Sequence, residues 1–209
     1  MPVQANCRIV GKEKLAAGIY KISIKTKEIA ELAKPGHFLE IKVSDSLETF
    51  LRRPISIYNI DQENEVVEFI FQVKGKGTEL LAERKIGEDL NIVGPLGNGT
   101  FSIKPYQKVA ILGGGIGIYP LYELAKTLKK TSEVNTYLGF RNKDLVTLEE
   151  EFESVSNQLM ITTDDGSYQK KGFAIDFLKI DCQKEKPDMI FACRTTSYVK
   201  STSEIFDRK

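Results

Sequence analysis

The hydrophobic rhythm of this chain changes between residues 102 and 107, and no other feature narrows its possible folds as much. On the N-terminal side apolar and polar residues alternate: Ile19-Tyr20-Lys21-Ile22-Ser23-Ile24, Phe38-Leu39-Glu40-Ile41-Lys42-Val43 and Val67-Glu68-Phe69-Ile70-Phe71-Gln72-Val73. A period of two sends successive side chains to opposite faces of a strand. Turn residues separate the runs, at Pro35-Gly36, at Asp61-Gln62-Glu63-Asn64 and at Gly94-Pro95-Leu96-Gly97-Asn98-Gly99. Short strands punctuated in this way predict a small antiparallel β-barrel over residues 1–102. One short helix is expected from Thr78 to Lys85, with Thr78 as its N-cap.

On the C-terminal side Val109-Ala110-Ile111-Leu112 is apolar throughout, the pattern of a parallel strand covered on both faces. Leu121, Leu124, Ala125 and Leu128 then recur at helical spacing within 120–130. A strand over 134–140, a helix over 148–153, a strand over 158–162, a helix over 174–178 and a strand over 188–192 follow. Alternating strands and helices predict a doubly wound α/β nucleotide-binding domain over residues 103–193. The expected fold class is therefore two domains, an antiparallel β-barrel followed by an α/β domain.

Composition removes several classes of function. The net charge of +1 provides no field for nucleic acid or an anionic membrane surface. No apolar run approaches the roughly 20 residues of a membrane span, and the N-terminus lacks the apolar stretch of a signal peptide. A soluble, cytoplasmic protein is expected. Three cysteines, Cys7, Cys182 and Cys193, lack pairing motifs and argue against a disulfide framework. With a single histidine, His37, and no Cys-x-x-Cys, no metal site is expected. No residue is assigned a catalytic role, and the turn setting of His37 argues against one.

Four loops carry the chemistry. Arg53-Pro54-Ile55-Ser56 joins a rigid guanidinium fork, suited to a diphosphate or the polar edge of a flavin, to a hydroxyl three residues on. Taken alone, this tetrapeptide is more often an edge strand with a solvated arginine. Gly75-Lys76-Gly77-Thr78 lets backbone amides approach an anion at a helix start, or is simply a glycine turn. Gly113-Gly114-Gly115-Ile116-Gly117 lies between a buried strand and a helix, where a glycine loop can cradle a second nucleotide. Its match to Gly-x-Gly-x-x-Gly is incomplete, because position 118 is isoleucine. Thr162-Thr163-Asp164-Asp165-Gly166-Ser167 follows a strand; Asp164 or Asp165 could accept from ribose, and an Asx turn is the commoner reading. Tyr58 and Phe71 could stack on a flavin, though aromatics in strands are more often core.

With Arg-Arg-Pro-Ile-Ser-Ile at 52–57, Gly-Lys-Gly-Thr at 75–78, Gly-Pro-Leu-Gly-Asn-Gly at 94–99 and Gly-Gly-Gly-Ile-Gly at 113–117, the chain resembles the ferredoxin–NADP reductase superfamily. Within it, the chain is similar to the electron-transfer subunits of class B dihydroorotate dehydrogenases, from about residue 5 to 193. The resemblance implies a barrel that binds FAD and a second domain that admits NADH. It implies that Arg53, Pro54, Ile55 and Ser56 line the flavin and ribityl chain, with Ile70, Phe71 and Gln72 along the FAD. Gly77 and Thr78 would hold the diphosphate; Gly113, Gly114, Gly115, Ile116, Gly117, Asp164 and Asp165 would face the nicotinamide nucleotide. In that family NADH gives a hydride to FAD, and electrons pass singly through a [2Fe–2S] cluster to an FMN-bearing catalytic subunit in pyrimidine synthesis. The implied partner is that catalytic subunit, in a hetero-oligomer. The alternatives are the flavin subunit of an NADH-dependent ferredoxin–NADP or sulfide-type reductase, and a non-catalytic flavin-binding module. NADPH is a further open choice, since Arg141 and Lys143 could tolerate an extra phosphate.

The C-terminus departs from that family. Such a cluster needs four thiolates, and this sequence holds three cysteines. Where the family carries Cys-Gly-Pro, this chain has Cys193-Arg194-Thr195. With permitted codons and one base removed at the Cys193/Arg194 junction, the message can read Cys-Gly-Pro followed by an amphipathic helix. Residues 194–209 are therefore expected to be an aberrant, frameshifted tail. Sequencing the gene across that junction should reveal Gly-Pro in the alternative frame, and a frame without it would end the idea.

Overall fold

Six strands curl into a ring in the computed structural model, which describes residues 1–44, 46, 49–98, 101 and 103–193. They are β1 (Val3–Ala16), β2 (Ile19–Lys25), β3 (Phe38–Lys42), β4 (Arg53–Asp61), β5 (Val66–Gln72) and β6 (Asp89–Leu96). Their order is β1-β2-β5-β4-β3-β6, and β6 returns antiparallel to β1 with Val3 opposite Gly94. Alternation turns Ile9, Ile22, Leu39, Ile41, Ile57, Phe69 and Ile92 into one core. Helix α1 (Lys27–Leu32) adds Ile29 and Ala30 to it, and α2 (Lys76–Glu83) adds Leu81.

Three of these elements differ from expectation. β1, α1 and most of β6 carry weak or mixed periodicity and are not predicted. Gly94, Pro95 and Leu96, expected as a turn, continue β6. Glycine is needed there for close approach, since a Cβ on residue 94 would stand 2.6 Å from Leu39 Cδ2. The register slips between Phe38 and Glu40 of β3, so the turn-forming residues accompany a bulge.

The later residues form a five-stranded parallel sheet: β7 (Lys108–Gly114), β8 (Glu133–Phe140), β9 (Gln158–Thr163), the two-residue β10 (Lys170–Lys171) and β11 (Met189–Cys193). Its order is β10-β9-β8-β7-β11. Helix α3 (Tyr119–Leu128) buries Leu121, Leu124 and Leu128, and α4 (Glu149–Ser154) buries Phe152. Helix α5 (Ala174–Lys184) runs well past the expected stretch and lays Ile175 and Leu178 against Ala110, Leu112 and Tyr137. From β7 the chain steps outward to β8, β9 and β10, then returns to β11 on the other flank of β7. That reversal creates a switch point beside β7, where such sheets bind ligands at their carboxyl edge. The chain divides into two units, Met1–Phe101 and Ser102–Lys209. Among the described residues no helix is long and apolar enough to cross a membrane. The expected frameshifted tail and Gly99 lie outside the described residues.

The turn before β3 is fastened by His37. Its Nδ1 accepts from the Lys34 amide at 3.0 Å, and its carbonyl accepts from the Ile57 amide at 3.0 Å. Burial, with help from nearby Lys34, lowers the His37 pKa below 6.5, against a bond to the Gly97 backbone that raises it. A proton on Nδ1 would displace the Lys34 amide. The unfolded chain therefore binds this proton more readily, so the contribution of His37 is complete above 6.5 and is lost as pH falls through the folded value. Urea melts at about pH 7.5 and about pH 5.5 should show a larger acid loss in the parent than in His37→Asn, which cannot titrate.

Candidate functional site

The barrel wall opens along one seam. β4 pairs with β3 along Arg53–Ser56, but its pairing with β5 begins only at Ile57, opposite Phe69. Beyond that point β5 keeps β2 alone as its partner, with Lys21, Tyr20 and Ile19 opposite Ile70, Phe71 and Gln72. Arg53–Ser56 and Ile70–Gln72 thus each have a strand edge that the ladder between them leaves unused. Ile55 points into the core, whereas Pro54 and Ser56 alternate outward. The Phe71 ring belongs to the interior: it stacks on Tyr20 with centroids 6.0 Å apart and is 5% exposed. A ligand in the seam could meet only its main chain. Tyr58 is likewise buried, at 2% exposure.

Gly75-Lys76-Gly77-Thr78 closes one end of this seam. Thr78 is not the N-cap; α2 starts two residues earlier, and Gly75 occupies the cap. The Thr78 hydroxyl instead reaches back, accepting from the Lys74 amide at 2.9 Å and the Gly75 amide at 3.2 Å. The Thr78 amide and hydroxyl both donate to the Gly75 carbonyl, at 2.9 and 2.8 Å. Helix geometry leaves the amides of Lys76 and Gly77 without intrahelical acceptors. Beside Gly77 lies Arg53: a Cβ on Gly77 would stand 2.6 Å from its Nη2 and 2.7 Å from its Cζ. Arg53 also donates to the carbonyls of Leu51 and Arg52. Arginine fork, helix start and strand edge therefore converge. The adjacent Arg52, not singled out in the sequence, turns the other way and donates to Glu40 and Asn91; strand alternation across the Arg-Arg pair was the available signal.

In the second unit the glycine run splits between two structures. Gly113 and Gly114 finish β7, and Gly115–Ile118 form one 3₁₀ turn leading to α3, with Pro120 in its first turn. Gly113 is where a side chain cannot fit: a Cβ would lie 2.9 Å from Ile118 Cγ2 and 3.1 Å from Leu121 Cδ1. The isoleucine that breaks the Gly-x-Gly-x-x-Gly pattern is thus the residue that seats α3 on the sheet. Gly115 has a φ of +54° and open space around it, while Ile116 is 47% exposed at the tip. Cys193 of β11 stands in register with Gly113 on the other side of the switch point.

Asp164 and Asp165 follow β9 at the same carboxyl edge. The Asp164 amide donates to Phe140, leaving its carboxylate exposed. Asp165 Oδ1 accepts from the amide and hydroxyl of Ser167, at 2.9 and 2.7 Å, and these bonds lower its pKa. Asp165 therefore closes an Asx turn. Ser167 Oγ in turn accepts from the Lys143 amide at 2.7 Å, and the Lys143 ammonium lies 5.8 Å from the Tyr168 ring centre. Among the described residues no group of His, Cys, Asp and Glu side chains could hold a metal ion.

Known proteins place this arrangement. No family model matches the chain. The dihydroorotate dehydrogenase B (NAD(+)) electron transfer subunit of Enterococcus faecalis is 39% identical over 202 residues, covering 95% of this chain and 76% of the relative. The chain belongs to that family of electron transfer subunits. The corresponding subunit of Lysinibacillus sphaericus is 35% identical, with 99% of this chain and 80% of the relative covered. Among solved structures, an NADH-dependent reduced ferredoxin-NADP oxidoreductase described for flavin-based electron bifurcation superposes with a TM-score of 0.86 at 31% identity. It covers 97% of this chain and 72% of that one. The fold is thus the two-domain ferredoxin reductase type, and the chain is an oxidoreductase subunit.

Gly113→Ala should lower stability by about 1–3 kcal/mol through overpacking, with a matching fall in the denaturant midpoint. Adding Ile118→Ala, which removes the Cγ2 that the new methyl meets, should cost less than the two single losses summed.

Proposed function

We propose that this chain binds FAD on its barrel and NADH on its α/β unit, and passes electrons from NADH towards an FMN-containing dihydroorotate dehydrogenase catalytic subunit in the cytoplasm. The observation that carries the reading is the seam between β4 and β5, with the Arg53 guanidinium set over Gly77 at the start of α2. A diphosphate suits that corner, because a cationic fork and unpaired helix amides favour the same anion. Arg53, Gly77 and Thr78 would hold the phosphoryl linker. Pro54, Ser56 and Gln72 would border the flavin along the seam, with the main chains of Ile55, Ile70 and Phe71, whose side chains are buried. When bound, FAD supplies the acceptor for hydride from NADH and releases electrons onward.

On the second unit Gly113–Gly117 would receive NADH at the switch point. Asp164 favours NADH over NADPH, since an exposed carboxylate accepts from a ribose hydroxyl and repels a 2′-phosphate. Of the two cations that could offset that repulsion, Lys143 sits beside the Tyr168 ring and Arg141 is exposed. Asp165 shapes the turn that presents Asp164. A [2Fe–2S] cluster does not fit the thiols present: Cys7 and Cys182 are buried, and burial raises the pKa of each, Cys193 included. Its four ligands would have to come from outside these 209 residues.

A second reading, an NADH-dependent ferredoxin–NADP reductase subunit, is favoured by the likeness to the solved structure of that activity. Co-purification with an FMN-binding dihydroorotate dehydrogenase supports the first reading; ferredoxin reduction without it supports the second.

Purified protein should be yellow, and NADH should bleach its absorbance near roughly 450 nm in stopped flow. A yellow protein that NADH never bleaches would make the chain a flavin-binding module, and a colourless one that refuses added FAD would refute the proposal. Asp164→Ser should narrow the NADH-over-NADPH rate ratio by about tenfold, near 1.4 kcal/mol.

A further inference from the structure

We infer that Arg52 is a positioning residue for the flavin site: it fastens the start of β4 to the rest of the barrel rim so that Arg53 is held at Gly77. This rests on the FAD reading above and adds the support on which the corner depends. Arg52 and Arg53 are neighbours with opposite tasks. The Arg52 Nη1 donates to the Asn91 carbonyl at 2.9 Å and to the Glu40 carbonyl at 3.3 Å, and its Nη2 donates to Asn91 Oδ1. Asn91 Nδ2 donates to Asn6 Oδ1 at 2.7 Å, and Asn91 Oδ1 also accepts from Gln4 at 3.4 Å. Through Asn91 one guanidinium thus links the start of β4 to β3, β6 and β1.

The seam explains why this link has consequences for the site. Over Arg53–Ser56 the strand has no ladder to β5, so β3 supplies its backbone bonds on one side only. A one-sided strand end can shift unless something else holds it. Arg52 is that hold, and it grips two main-chain carbonyls whose positions are set by the barrel. Three donors in a planar fork fix orientation as well as distance, which a lysine ammonium cannot do. Arg53 extends from the adjacent Cα, so a shift at residue 52 moves the second guanidinium away from the helix start.

The test compares FAD affinity, by quenching of flavin fluorescence, across variants of the full chain, each with a urea melt to report folding. Arg52→Gln should weaken FAD binding about tenfold, the scale of one charge-assisted hydrogen bond, while the protein stays folded at assay temperature. Arg52→Lys should recover little. Asn91→Ala should reproduce much of the loss without touching β4, and the double variant should lose less than the two effects summed. Arg8→Ala removes an exposed ion pair between β1 and β6, 2.6 Å to Asp89, and should leave FAD affinity within about twofold. If Arg53→Gln loses FAD and Arg52→Gln binds it as tightly as the parent, the positioning role is wrong and the FAD reading stands. If Arg52→Gln lowers the urea midpoint but leaves FAD affinity unchanged, Arg52 is only structural. If the parent itself takes up no FAD, the functional reading fails first.

Discussion

The Arg53 guanidinium occupies the space that a β-carbon on residue 77 would fill, and the organisation of the first site depends on that contact. A guanidinium beside the amino end of a helix faces partial charge of its own sign. Among the described residues its recorded partners are the carbonyls of Leu51 and Arg52, to which Arg53 donates. The arrangement makes electrostatic sense once an anion shares the corner, because both groups then point at one opposite charge. The open seam lets Arg53 reach α2: had the β4–β5 ladder continued past Ile57, a β5 backbone would lie along that flank.

The two proposed nucleotide sites use glycine in opposite ways. At Gly77 the missing side chain makes room for a charge. At Gly113 it makes room for Ile118 and Leu121, so α3 lies close on β7 and its first turn begins at the carboxyl edge. A methyl group at Gly77 would press on the mobile end of an arginine, which can move aside at the expense of binding. At Gly113 it would press on Ile118 Cα as well, 3.2 Å away, and backbone moves less readily. Loss of ligand is the natural result at the first position, and loss of packing at the second.

Alternation in residues 19–24, 38–43 and 67–73 and the apolar run 109–112 made the two-domain fold legible, because each pattern reports which faces are buried. What periodicity cannot report is which edge lacks a neighbour, and the seam is an edge property. It gave no hint that Arg53 and Gly77 meet. Gly94 and Pro95 read as a turn because their composition suits one, whereas close approach to Leu39 explains the glycine. Thr78 read as a cap because hydroxyls usually cap with their own side chain one turn earlier; here it reaches back from the third helical position. Asp165 followed the commoner reading of its motif, an Asx turn, and both it and Asp164 are exposed.

The position of β11 has a consequence for biogenesis. Met189–Cys193 is the final described strand, yet it flanks β7, which is made some eighty residues earlier by the order of the chain. While a ribosome is still adding those residues, β7 keeps one edge unpaired, with Val109–Leu112 apolar on both faces. Bare apolar edges invite pairing with other nascent chains. A lesion that keeps β11 from docking would therefore surface as aggregation during synthesis, before any deficit in dinucleotide handling could be measured.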